Sequence, residues 1–550
     1  MARRDEPGRA LRTVELEAAR AALAAGRGRR RLDVILSARD PGALVRALPA
    51  DELYFVIREM GLADAAPLVP LASLEQFQTF LDLDAWRGDR LDSRRALGWL
   101  RSARAGSGLD GKAAARWKRK LSGIDRELLF LVLRTSLVVH DLGEAPDPEI
   151  HSDRVVRTPD GRFAVEFVPE GPEYSALRGI LDDLYSDDPF QAGRLLASLA
   201  FESPAELEES ALRWRSGRLA DLGIPSLEEA LSWFARPAAV TAAAAGAPER
   251  PPGFYLASFA SGSLLDRGAA ALDPPARPAL EAQVVAAAGA VLVADQVDVA
   301  DPEAVRASFL SARALLELGL EARLRAEQRN LDGPAAAEVL SAVPVKRIFQ
   351  EGFGRVLELR WRAERIVAKG GAGTREAPLL DAPLGEALFA LVARRPGYFP
   401  GLEVPRQEWA TIAAAAFTPR SFLSSAELLR TAAALDLCEE LLDLARSLGL
   451  VSPLPGTPPP RLTALYLTAL ANERLGRSFR PEPIAAGDLP AVAGALVASP
   501  LEDARLSGGG EAGALLLATA RAGVATLRAM QDAGQATPQR LEGLLALRPA

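Results

Sequence analysis

Helix-start signals recur along this chain, and they constrain its fold more than any other feature. Ser73-Leu-Glu-Gln76 is a capping box: the serine hydroxyl accepts from the amide three residues on, and the glutamine side chain reaches back. Ser203-Pro-Ala-Glu206 and Ser226-Leu-Glu-Glu229 have the same form. Pro49 ahead of Asp51 and Glu52 suits a first helical turn, as does Asp301-Pro302-Glu303. Proline lacks a donor that such a turn leaves unpaired, and acids face the positive end of the helix dipole. These signals feed Leu/Ala/Glu/Arg segments of helical periodicity, among them residues 345–367, 424–448, 462–475 and 513–534. A mainly α chain follows. At 550 residues it is too long for one ordinary core, so several packing units are expected.

A repeat accompanies the helices. Shifted by 24 residues, Leu44 falls on Leu68, Val45 on Val69, Asp51 on Glu75, Leu53 on Phe77 and Ile57 on Leu81, and the boxes at Ser203 and Ser226 stand 23 apart. Such a period suits short helix pairs that bury their apolar faces against neighbours, as in α-solenoids. One segment departs from this pattern. Around residues 154–168, Thr158-Pro-Asp-Gly161 turns between two β-rich arms, and Phe163, Val165 and Phe167 alternate onto one face. This predicts a β-hairpin with Gly161 left-handed, packed on helices or a partner because a lone hairpin is marginal in water. The expected architecture is a mainly α, multi-domain helical array with solenoid-like repeat character and one inserted β-hairpin. Residues 241–253, 370–383 and 452–461, rich in Pro, Gly and Ala, read as linkers. The expected divisions are a basic arm at 1–30, a repeat-like helical domain at 31–140, and an acidic segment with hairpin and helices at 141–240. A helical domain at 254–451 and a C-terminal helical segment at 462–550 complete them.

Composition shortens the list of chemistries. A single cysteine, Cys438, excludes an internal disulfide framework and a cysteine-ligated zinc site, and its leucine surroundings suit a core residue. Two histidines, His140 and His151, leave little room for histidine metal or triad chemistry; both sit beside acids, with a polar stretch between them that reads as an exposed loop. With 65 basic against 72 acidic residues, a net of −7, a whole-chain nucleic-acid binder is disfavoured. Sixty arginines against five lysines fit GC-rich coding better than a demand for guanidinium groups. Uncharged apolar stretches such as residues 282–294 fall short of the ~20 residues that cross a bilayer. The first 31 residues carry nine arginines and four acids with no apolar run, unlike a secretory signal or an anchor. Cytoplasmic residence without membrane insertion is the expectation.

Two charged segments are candidate sites. Asp182, Asp183, Asp187 and Asp188 form the densest acidic cluster. Carboxylates one helical turn apart can hold Mg²⁺ and steer a diphosphate, given a second acidic motif on a facing helix. The nearest such motif, Asp436, Glu439, Glu440 and Asp443, sits opposite leucines and reads as the wet face of an amphipathic helix. Residues 87–120 hold eleven basic and three acidic residues and end in Arg116, Trp117, Lys118, Arg119 and Lys120. Cations around an aromatic residue have the make-up of a nucleic-acid grip. Residues 141–188, with thirteen acids and four arginines, offer the same cations internal partners. Gly370-Gly-Ala-Gly373 and Gly352-Phe-Gly354 lack a nucleotide fingerprint; the second lies in helical sequence, where small residues let two helices approach. No catalytic residue and no cofactor is assigned.

A wider pattern links several runs. They are Leu32-Asp-Val-Ile-Leu36, Pro41-Gly-Ala-Leu-Val-Arg-Ala-Leu-Pro49, Ala96-Leu-Gly-Trp-Leu100, Ala211-Leu-Arg-Trp-Arg215, Leu219-Ala-Asp-Leu-Gly-Ile-Pro225, Gly352-Phe-Gly-Arg-Val-Leu-Glu-Leu-Arg360 and Leu465-Tyr-Leu-Thr-Ala-Leu-Ala471. Together they resemble a bacterial family known only as a domain of unknown function, over most of the chain apart from the basic arm. The resemblance implies no activity and no catalytic residues. Through its Leu-Pro-x-acid helix starts, the N-terminal part also resembles the cytosolic superhelical domain of bacterial magnesium transporters. The leading reading is a non-catalytic helical interaction or scaffold protein with protein partners. Mg²⁺-dependent chemistry at residues 182–188 and nucleic-acid binding through residues 87–120 are the alternatives.

Overall fold

A computed structural model describes residues 29–105, 111–201, 204–235, 262–451, 460–498, 501–541 and 543–548. Helices dominate, and the described strands form two small sheets. The chain divides into two compact units, residues 1–313 with 330–347, and residues 314–329 with 348–550.

In the first unit the helix-start signals act as anchors. Ser73 Oγ accepts from the Gln76 amide at 3.1 Å, and Gln76 Oε1 accepts from the Ser73 amide at 2.8 Å. The same glutamine donates to the carbonyls of Val45 and Leu48, 2.7 Å each, fastening the end of the helix Pro41–Ala47 to the start of Leu74–Asp84. Ser226 and Asp301 likewise cap the helices that follow them. Ser203 lies outside the described residues. The helices Ala50–Met60 and Leu74–Asp84, each 11 residues long, pack together and bury Leu53, Ile57, Phe77 and Leu81. Their starts are the feature that the 24-residue shift superposes. Upstream the likeness ends, because the helix Pro41–Ala47 has only the short 3₁₀ turn Val69–Leu71 opposite it. Tyr54, Phe80 and Trp99 meet over this pair, with ring centroids 5.0 to 6.3 Å apart.

The hairpin is present and larger than expected. After the two-residue strands β1 (Trp86–Arg87) and β2 (Arg90–Leu91), the second sheet holds β3 (Leu137–Asp141), β4 (Val155–Arg157) and β5 (Phe163–Phe167) in the order β3-β5-β4, all antiparallel. Gly161 has φ +70°, and its amide donates to Thr158 O at 2.9 Å to close the turn. Phe163, Val165 and Phe167 are buried as their alternation predicts; Ala164 and Glu166 are buried too, because β5 is the central strand and is covered on both faces. His140 therefore belongs to β3 rather than to a solvated loop. Farther along, the helical segment Pro274–Ala294 is long and apolar enough to span a membrane by length and composition, unlike the shorter stretches expected, and 56% of its most apolar window is buried inside the protein.

The second unit is a helical packing closed by glycine contacts. Gly319 and Gly352 sit where the helices Pro302–Ala326 and Val345–Ala368 cross, and a Cβ on either would overlap a carbonyl oxygen, that of Ile348 or of Leu315. Gly354 faces open space, so of the two glycines expected to let helices approach only Gly352 does so. The helix Ser425–Ser447 packs on Leu384–Val392 and on Gly510–Asp532, which also meets Leu462–Arg474 and Leu489–Val497. Cys438 is fully buried there, and burial pushes its thiol up to about 12.

Candidate functional site

The basic and acidic candidates meet. Helix Gly111–Gly123 carries the end of the basic stripe, and helix Gly171–Asp187 carries the acidic cluster. Asp183 accepts from Arg104 Nε at 2.6 Å and from the Trp117 indole at 2.7 Å. Lys118 Nζ lies 3.0 Å from Asp187. Asp188 caps the next helix, Pro189–Phe201, accepting from the amides of Phe190 and Gln191 at 3.0 Å each. Asp182 is exposed, and its charge acts on Arg104. Three of the four candidate metal ligands thus serve pairing and capping, and no group of three or more metal-ligating side chains is assembled among the described residues. Trp117 is only 2% exposed, so its ring has no free face for a base to stack on. The remaining stripe residues, Arg116, Arg119 and Lys120, share one arc of the helix; Lys120 is buried and donates to Pro70 O at 3.0 Å.

The two histidines converge on one buried carboxylate. His140 Nε2 is 2.6 Å from Glu166 Oε1, and the His151 amide donates to Glu166 Oε2 at 3.0 Å. Burial alone would raise Glu166, but these two hydrogen bonds outweigh it and hold the carboxyl below its usual range. These contacts tie His140 of β3 and the backbone at His151 to the central strand β5.

Sequence reasoning missed a buried polar network around Asp82 and Asp84. Asp84, 2% exposed, accepts from Trp99 Nε1 at 2.6 Å and from Arg58 and Arg95 at 3.3 Å each. Arg95 also holds Asp298 in a two-pronged contact of 3.0 and 2.8 Å, which pulls that carboxyl down to about 2. Arg58 reaches the Ala300 carbonyl at 3.0 Å. The Tyr54 hydroxyl beside this cluster is buried without a hydrogen-bond partner, and burial raises it well above its ordinary range. Two residues before Asp84, Asp82 accepts from Arg218 at 2.6 and 2.9 Å, and Arg218 reaches Asp125 at 2.7 Å. Burial raises Asp82 despite that partner.

Arg218 forms part of an open cleft of about 540 Å³, whose walls include Glu75, Asp125, Glu127, Trp214 and Asp221. The neighbouring Asp125 carboxyl, with burial second, raises Glu127. Trp214 stands 60% exposed on the wall. Arg126 lines the cleft as well, and Arg218 already engages Asp125, so carboxylates and guanidinium groups share its wall with the indole.

No curated protein and no solved structure matches the chain, so no likeness to the magnesium transporters is shown. A family model does match, over residues 8–536, and this span takes in most of the basic arm that the sequence comparison left aside. The chain belongs to the family of unknown function DUF6178.

Proposed function

We propose that the chain is a non-catalytic helical scaffold of the cytoplasm that binds a protein partner through the cleft beside Trp214. The carrying observation is that indole, 60% exposed on the wall of a cleft of about 540 Å³. Tryptophan is enriched among the residues that dominate protein interfaces, where a fully desolvated aromatic anchor supplies much of the binding energy. The candidate residues for chemistry support the same reading, because Asp183, Asp187 and Asp188 are engaged by Arg104, Trp117, Lys118 and backbone amides. The test compares affinity capture from the native host by the full chain, by Trp214→Ala and by Trp214→Glu, with thermal melts alongside. A stoichiometric partner held by the wild type and lost from both variants, with melts unchanged, is expected. Capture that ignores both substitutions would overturn the docking site. A Mg²⁺-induced rise in melting temperature that Asp182→Asn abolishes would restore the enzyme reading.

A further inference from the structure

Four cations of the first unit, on two helices that pack on one turn, form no ion pair with a carboxylate among the described residues. Arg116, Arg119 and Lys120 stand at i, i+3 and i+4 on the helix Gly111–Gly123, a spacing that places them side by side. Arg46 comes from the helix Pro41–Ala47, and both helices pack on the turn Val69–Leu71. Lys120 is 3% exposed, and its ammonium group donates to a neutral acceptor, the Pro70 carbonyl, at 3.0 Å. The Nε of Arg116 is buried with no hydrogen-bond partner. Arg46 and Arg119 are exposed at the rim. Among the described residues no acid forms an ion pair with any of the four. The pairing with the acidic helix stops short of this face: Lys118 has Asp187 and Arg104 has Asp183. Burial, then the charges of Arg116, Arg46 and Arg119, pull the Lys120 ammonium down to about 8.

A buried ammonium among like charges is costly, and the cost falls when an anion enters. Guanidinium N–H groups present forked donors that match a tetrahedral oxyanion. The size of the ligand follows from the neighbours. Trp117, the one aromatic residue of the stripe's end, is enclosed and bonded to Asp183, so stacking on a base is unavailable, and of the four cations only Lys120 is buried. We propose that Arg46, Arg116, Arg119 and Lys120 form a binding site for a small phosphate-class oxyanion, either free phosphate or the terminal phosphoryl group of a small ester.

The experiment is calorimetric titration of the full chain with inorganic phosphate and, separately, with glycerol phosphate, each against chloride of matched ionic strength. The variants are Arg46→Gln, Arg116→Gln and, as a control on the paired face, Lys118→Gln. Phosphate is expected to bind the wild type and Lys118→Gln equally, and each arginine variant roughly tenfold more weakly, about 1.4 kcal/mol. Tighter binding of the ester would name the esterified group as the ligand, and tighter binding of phosphate the free ion; both support the site. Absence of heat at millimolar phosphate, or equal heat in the arginine variants, would overturn it. An anisotropy titration with a labelled single-stranded oligonucleotide supplies the remaining arm. Oligonucleotide binding lost in the arginine variants, with no response to phosphate, would assign the face to a nucleic-acid backbone and also overturn the proposal. The scaffold reading rests on Trp214 and is judged by its own variants, so the two can fail separately.

Discussion

Lys120 is the residue whose surroundings contradict its charge most directly. Its folded pKa of about 8 lies below the ordinary 10.5, so between those values the unfolded chain keeps a proton that the folded chain has released. Stability from this residue therefore rises with pH across that window and is lowest below about 8. Lys120→Met should flatten that rise in a series of melts. Near neutral pH it should stabilise the fold, by on the order of 1–3 kcal/mol, the range for relieving a poorly satisfied buried polar group. A melt series with the same slope in variant and wild type would show that Lys120 is solvated. Asp183 is the opposite case, a carboxylate whose loss strands two donors. Asp183→Ala leaves the Trp117 indole and Arg104 without their acceptor and should cost about 2–3 kcal/mol in denaturant unfolding. A cost near zero would mean that water replaces the carboxylate, and that the acidic helix is less committed to pairing than its distances indicate.

Among the elements, the crossing at Gly319 and Gly352 makes the sharpest prediction. Gly352→Ala forces a methyl group against the Leu315 carbonyl and should destabilise by about 1–3 kcal/mol, whereas Gly354→Ala, facing open space on the same helix, should be neutral or slightly stabilising. Equal effects of the two substitutions in chemical unfolding would contradict the crossing. The same pair shows how far sequence reasoning reached. Helix starts at Ser73, Ser226 and Asp301 were legible because a cap is a contact between residues three apart. The β4–β5 turn was legible for the same reason, its Pro-Asp-Gly chemistry being local. Strand β3 was not, because Leu137-Val-Val is a short apolar run only three residues beyond the apolar stretch Leu128–Leu133 of the helix Arg126–Ser136, and periodicity cannot tell so short a run as strand from a further turn of helix. Which glycine of Gly352-Phe-Gly354 meets a neighbour depends on the helix that crosses it. The Asp82 and Asp84 network was illegible on the same ground: Arg218 lies 136 residues from Asp82, and Arg95 lies 203 from Asp298. That basic and acidic segments could pair internally was open to the sequence; that Arg46, Arg116, Arg119 and Lys120 would be left out of the pairing was not.

At the scale of the whole molecule, the two units each bury a core of their own. The first centres on Tyr54, Phe80, Trp99 and the sheet residues Phe163, Val165 and Phe167; the second centres on Phe349, Tyr398, Phe399, Phe422 and Tyr466. Units with separate cores can unfold separately, and a chain of 550 residues need not obey a two-state description. Scanning calorimetry is expected to resolve two transitions. Phe163 is fully buried in β5, so Phe163→Ala should cost about 3–5 kcal/mol and move the transition of the first unit. Gly352→Ala should move the other. Because each substitution removes or crowds contacts within one unit, the unaffected transition serves as an internal standard in the same scan. A single transition shifted by both variants would show that the chain unfolds as one cooperative body, and that the division into two cores carries no thermodynamic weight.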